Sequence, residues 1–142
     1  MRSRRPILLL EDDDVDAMTV RRALREIKVT NRLIVAEDGE KGLSYLRNPD
    51  AEKPCIILLD LNMPRMNGIE FLQAIKQEPV LRRIPVVVLT SSQQEQDRVE
   101  SFDLGVAGYM LKPVDYQRFV EIVRTINLYW TLSELPPPGG AR

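Results

Sequence analysis

Residues 56–60 read Ile56-Ile57-Leu58-Leu59-Asp60, an unbroken apolar run closed by one carboxylate. A strand with one face in water alternates apolar and polar side chains. A continuous run therefore fits a strand covered on both faces, as in parallel sheets. Working outward, similar runs stand at Ile7 to Leu10, Leu33 to Ala36, Val86 to Leu89 and Ala107 to Leu111. Helical patterns lie between them: Ala17, Val20, Leu24 and Ile27 make one stripe, and Phe71, Leu72 and Ile75 another. Strand and helix alternate five times, which predicts an α/β domain with a doubly wound, five-stranded parallel sheet, helices on both faces and right-handed crossovers.

The boundaries have local causes. Asp14 is expected to cap the first helix, Asn67-Gly68 after Pro64 to turn the chain into the third, and Asp115 to cap the last. Pro79 and Pro85 bracket the approach to the fourth strand. The pattern fails after Trp130, so residues 1–130 are expected to form one domain. Residues 131–142, with Pro136-Pro137-Pro138-Gly139-Gly140, read as an extended or disordered tail without a linker to an effector domain.

Composition narrows the chemistry. The 142 residues are 44% hydrophobic and 29% charged, enough for one well-cored domain. Twenty basic and twenty-one acidic residues nearly cancel, so no nucleic acid or anionic membrane is implied as partner. No apolar run approaches the roughly 20 residues of a spanning helix, and no signal peptide follows Met1, so a cytoplasmic location is expected. The single cysteine, Cys55, opens an apolar run and reads as buried packing. With no histidine in the chain, imidazole catalysis and imidazole metal ligation are excluded. Carboxylates, hydroxyls and lysine remain.

Those groups stand where the apolar runs stop. Glu11-Asp12 follow the first run, Asp60 the third, Thr90-Ser91 the fourth and Lys112-Pro113 the fifth. Carboxyl ends of strands in an open parallel sheet converge on the crevice where ligands bind, so these residues are expected to meet. Clustered carboxylates repel unless a cation relieves the charge, and a hard divalent ion such as Mg²⁺ fits an oxygen-only set. Asp12 and Asp60 suit direct ligation, and Glu11 ligation through water. Lys112 suits an anionic phosphoryl oxygen, and Thr90 adds a hydroxyl donor. A carboxylate can itself be the nucleophile in phosphoryl transfer, and Asp60 is the central candidate. The plainer reading of the run from Glu11 to Asp16 is a solvated helix start favoured by the macrodipole, which accounts well for Asp13, Asp14 and Asp16.

Taken together, ILLLEDD at 7–13, LLDLNMPRMNG at 58–68, VVVLTS at 86–91 and GYMLKP at 108–113 resemble the receiver domains of two-component response regulators, the family of the bacterial chemotaxis regulator. The resemblance spans roughly Ile7 to Trp130 and implies a flavodoxin-like sheet of order 2-1-3-4-5. It implies Asp60 as phosphoacceptor, Glu11 and Asp12 as the acidic pair, and Asn62 as donor of a backbone carbonyl to Mg²⁺. Thr90 corresponds to the switch hydroxyl, Tyr109 to the switch aromatic and Lys112 to the family's lysine, with a cis peptide bond before Pro113. Asp13 and Asp14 extend the acidic run beyond the usual pattern, so the register Asp12/Asp13 stays open beside Glu11/Asp12. Asn62 and Ser92 flank the site, where they are expected to tune water access.

The resemblance also implies a sensor histidine kinase as partner. The spacer Asn48 to Pro54 and the ending WTLSELPPP look like single-domain regulators paired with phytochrome-type kinases, bacteriophytochromes among them. In the last helix Tyr116, Phe119, Val120, Val123, Ile126 and Trp130 form a core stripe. Ile122 and Tyr129 widen it, and Leu132 and Leu135 follow, so a homodimer through this helix and the tail is expected. Two other classes share some of these features. A Mg²⁺-dependent phosphohydrolase with an aspartate nucleophile needs a second Asp two residues on, where Asn62 stands. A phosphorylation-independent docking module has no use for the full set of acids, Thr90 and Lys112.

Overall fold

The structure is a computed structural model, and it describes residues 4–112 and 116–133, with side chains through Asn127. Five strands, β1 (Ile7–Leu10), β2 (Leu33–Ala36), β3 (Ile56–Asp60), β4 (Val86–Thr90) and β5 (Gly108–Leu111), alternate with five helices. These are α1 (Asp14–Glu26), α2 (Gly39–Arg47), α3 (Gly68–Lys76), α4 (Gln93–Glu100) and α5 (Tyr116–Ser133). All pairings are parallel and the sheet order is β2-β1-β3-β4-β5.

The period of two along each strand splits the core into two layers. Leu8, Leu10, Ile57, Leu59 and Val88 pack against Leu43, Leu46, Phe71, Leu72, Ile75 and Val99, the buried faces of α2, α3 and α4. Ile7, Leu9, Ile56, Leu58 and Val87 pack on the opposite side against Val20, Ala23 and Leu24 of α1 and Phe119, Val120, Val123 and Ile126 of α5. β1 and β3 are fully covered, as the continuous runs predict. Truncating any of their leucines to alanine should cost about 2–5 kcal/mol. Cys55 is buried at the entry to β3.

Three expectations need correction. Coverage on both faces fails at the sheet edges: Leu33, Ile34 and Val35 of β2 are only partly buried, and Leu111 of β5 is 44% exposed. An edge strand has one neighbour and its outer flank meets solvent, which hydrophobicity along the strand does not record. The cap of α1 is Asp13 rather than Asp14; its carboxylate accepts from the N–H groups of Val15 and Asp16 at 2.8 and 3.0 Å. The third and fourth strands include Asp60 and Thr90 themselves, so both polar residues sit inside the sheet rather than after it.

Helix α5 continues past Trp130 to Ser133. Asp115 as a cap, the peptide bond before Pro113, the tail from Glu134 onward and the side chains of Tyr129, Trp130, Leu132 and Leu135 lie outside the described residues. Among the described residues no helix is long and apolar enough to cross a membrane.

Candidate functional site

The carboxyl ends of β1, β3, β4 and β5 gather the predicted residues at one edge of the sheet. β1 and β3 run in register from Ile7 opposite Ile56 to Leu10 opposite Leu59, so Glu11 emerges beside Asp60. Carboxylate oxygens of Glu11, Asp12 and Asp60 lie within 4.8 Å of one another. Glu11 and Asp60 are buried, whereas Asp12 is exposed. Asp13, occupied as the α1 cap, does not share this cluster.

Lys112 closes the other side. Its Nζ stands 3.0 Å from Glu11 Oε1, 3.4 Å from Asp16 Oδ2 and 3.5 Å from Asp60 Oδ2. One ammonium therefore faces Glu11, Asp60 and Asp16, with Asp12 close by. Burial, reinforced by the neighbouring Asp60, pushes the Glu11 carboxyl up to about 7, with Lys112 opposing the rise. Burial by itself would lower the Lys112 ammonium, but Asp60, Glu11 and Asp16 more than offset it and its pKa is raised.

Thr90 is fully buried, and its hydroxyl is directed to the Met110 carbonyl at 3.5 Å rather than to Asp60. The pairing of Val88 with Tyr109 and of Thr90 with Leu111 puts Tyr109 on the same sheet face as Thr90. Tyr109 is half-buried against the α2, α3 and α4 layer, and burial raises its phenol pKa, helped by Glu100 and Asp103. The N–H of Asn62 points at Asp60 Oδ1 from 3.5 Å, and its side-chain amide donates to Glu95 at 2.8 Å.

The loop after Asp60 is held from three sides. Gly68 opens α3 so close to the end of β3 that an added Cβ would lie 2.8 Å from the Leu61 Cα and 3.0 Å from the Asp60 carbonyl oxygen. Only glycine fits. Asn67 and Glu70 form a reciprocal capping box at the same helix start. Arg65, at φ 61°, donates to Asp38 Oδ2 at 2.7 Å, and Asp38 is itself buried as the cap of α2. The N–H of Lys41, assisted by Arg65, holds the Asp38 carboxyl below the usual carboxylate range.

Sequence reasoning missed the approach of Asp16 to Lys112, the Arg65–Asp38 tie and the position of Glu95. A Ser92-x-x-Glu95 capping signal was available for the last of these; the tie has no local signature, because its partners meet only in the folded chain.

The cluster passes a chemical test for a divalent cation. Its donors are carboxylates, the charge they carry exceeds what Lys112 neutralises, and burial together with Asp60 raises the Glu11 carboxyl despite the lysine. The acidic set therefore fits a hard divalent metal.

Fold and site define a receiver. The family model for the response regulator receiver domain matches residues 7–124, and the chain belongs to that family. Receiver domains are the modules that two-component systems pair with histidine kinases. Response regulator Rcp1 of Synechocystis sp. is 38% identical over 128 residues, 87% of each chain. The solved Mn²⁺-bound form of Rcp1 superposes with a TM-score of 0.79 at 37% identity, covering 89% of this chain and 94% of that one. The phosphorylated cyanobacterial phytochrome response regulator RcpA reaches a TM-score of 0.83 at 37% identity, over 96% of this chain and 99% of the other. The bacteriophytochrome response regulator AtBRR gives 0.76 at 40% identity, over 90% and 96%. RcpA and AtBRR are phytochrome and bacteriophytochrome response regulators, and the family accounts for a signalling module rather than a conventional turnover enzyme.

Proposed function

We propose that the chain accepts a phosphoryl group on Asp60 from a sensor histidine kinase, with Mg²⁺ held by Glu11, Asp12, Asp60 and the backbone carbonyl of Asn62. The observation that carries this reading is the convergence of the Glu11, Asp12 and Asp60 carboxylates within 4.8 Å, with Lys112 3.5 Å from Asp60. A carboxylate oxygen of Asp60 forms the new P–O bond as the P–N bond of the kinase's phosphohistidine breaks, and its electron pair leaves with the imidazole. When bound, Mg²⁺ supplies charge neutralisation at the phosphoryl oxygens and among the acids. Lys112 holds a phosphoryl oxygen from the opposite side. Thr90 gives up the Met110 carbonyl for the phosphoryl group, and Tyr109, on the same face, turns into the vacated space. The same site catalyses return to the free carboxylate, with water as acceptor.

A bacteriophytochrome is the proposed kinase, supported by RcpA and AtBRR. A second copy of this chain is the proposed neighbour of α5, where Ile122 stays only partly covered. Light scattering at tens of micromolar tests that contact, and a monomer in both phosphorylation states would remove it.

The test of the acceptor is incubation with Mg²⁺ and acetyl phosphate followed by intact mass. One added phosphoryl group is expected, absent in Asp60→Asn and without Mg²⁺. Steady phosphate release from monoesters without an adduct would instead identify a phosphohydrolase.

A further inference from the structure

Glu95 lies in the first turn of α4, three residues after the cap Ser92. A Ser-x-x-Glu pattern ordinarily closes a capping box, in which the glutamate carboxylate returns to the N–H of the cap residue. At α3 it does: Glu70 accepts from Asn67 N at 2.9 Å, and Asn67 accepts from Glu70 N at 3.0 Å. At α4 only the serine half is ordinary, with Ser92 Oγ accepting from Glu95 N at 3.1 Å.

The glutamate half is displaced in two directions. Glu95 Oε1 accepts from the N–H of Ser91 at 2.8 Å and from its hydroxyl at 3.2 Å. Glu95 Oε2 accepts from the side-chain amide of Asn62 at 2.8 Å. Capping accounts for the first oxygen at most. The second reaches the loop that follows Asp60.

Ser91 is bonded to Thr90, and Asn62 stands two residues after Asp60. One carboxylate therefore ties the loop leaving β4 to the loop leaving β3, while the Thr90 hydroxyl is turned away onto Met110. A cavity lined by Leu61, Asn62, Met63, Glu95 and Arg98 lies beside the tie, leaving the Asn62 side chain room to swing when released.

We propose that Glu95 is a positioning residue for phosphoryl transfer, a latch that holds the β4–α4 loop in its unphosphorylated arrangement and must yield before Thr90 reaches Asp60. The proposal rests on Asp60 being the acceptor. Movement of Thr90 toward a phosphoryl group carries the Ser91 amide with it, and the Glu95 carboxylate opposes that movement through both loops. A ligand or modification draws on the arrangement that fits it, so weakening the latch raises the population ready for phosphorylation.

The experiment follows phosphorylation by acetyl phosphate in Mg²⁺ by intact mass, for the wild type, Glu95→Ala, Asn62→Ala and the double variant. Thermal denaturation is recorded on each. Each single variant is expected to gain the phosphoryl group about 3–10-fold faster, the effect of losing a hydrogen bond worth roughly 0.5–1.5 kcal/mol. The double variant should be no faster than the faster single, because both substitutions break one tie. Wild-type rates in the single variants, slower rates, or effects that multiply in the double variant would overturn the latch. Should Glu95→Ala melt early through loss of its contact to Ser91, Asn62→Ala still breaks the tie from the other loop and decides the matter. A wild type that gains no adduct rejects the acceptor assignment, whereas a wild type that gains it with unaltered variants rejects the latch alone.

Discussion

The ammonium of Lys112 lies closer to Glu11, at 3.0 Å, than to Asp60, at 3.5 Å. In this arrangement the lysine compensates Glu11, which burial penalises, and Asp60 takes second place. A bound divalent ion would relieve the acids and release the lysine toward the phosphoryl group. This division of charge leads to the following expectations.

Replacing Asp60 should separate stability from the proposed function. Asp60→Asn removes one carboxylate from a crowded cluster, so without metal the variant should melt at or above the wild-type temperature. It should also take up no phosphoryl group. Thermal denaturation in chelator and intact mass after acetyl phosphate are the two readings, and a large fall in melting temperature would contradict the first expectation.

Metal-free stability should depend on pH through Glu11. Its carboxyl titrates at about 7 in the folded chain against an ordinary 4.5, so the folded state holds the proton more tightly. The resulting stabilisation is present in full below about pH 4.5 and is lost as the pH rises through about 7, a fall of roughly 1–3 kcal/mol. Denaturation at pH 5, 6, 7 and 8 in chelator should show Glu11→Gln gaining on the wild type across this window. Saturating Mg²⁺ should reverse the order at pH 8.

Removing the lysine should affect metal and phosphate oppositely. Lys112→Ala leaves Glu11 and Asp60 without their cation, so metal-free stability should fall by about 1–3 kcal/mol while Mg²⁺ affinity rises several-fold. Phosphorylation should slow on the order of 100-fold. Lys112→Arg should restore little of the rate, because a planar fork does not replace a compact ammonium. Calorimetric titration and adduct kinetics measure the two effects.

The Asp38–Arg65 pair should act on the site at a distance. Asp38→Ala frees the α2 cap and the anchor of a residue at φ 61° together. The melting temperature should drop by several degrees, and Mg²⁺ affinity should weaken because the loop carrying the Asn62 carbonyl loses its hold. Because the Asp38 carboxyl is held low, its own contribution is present above the ordinary Asp range and is lost as the pH falls through its depressed value. An Arg65→Ala variant with unchanged metal affinity would place the effect in the cap alone.

Much of this molecule is legible residue by residue. The apolar runs at Ile7, Ile56 and Val86 mark buried strands because a strand covered on both faces has no use for polar alternation, and Asp60, Thr90 and Lys112 stand out by ending such runs. The half-open edges at Leu33 and Leu111 were not legible, since exposure there depends on which strand has a neighbour. Asp14 is the cap expected from the sequence, whereas Asp13 takes the role, with an extended backbone and a carboxylate that reaches the N–H groups of Val15 and Asp16.

The sequence by itself determined the alternation of strands and helices, the residue types available for chemistry and the strand ends at which they stand. All of these follow from side-chain hydrophobicity and hydrogen-bonding character along a local stretch. Only the tertiary structure decided that Lys112 leans on Glu11, that Arg65 reaches Asp38 and that Glu95 spans Ser91 and Asn62. The Lys112–Glu11, Arg65–Asp38 and Glu95–Asn62 contacts join segments distant in the chain, and their distances are set by sheet register and loop path rather than by any property of the residues read one after another.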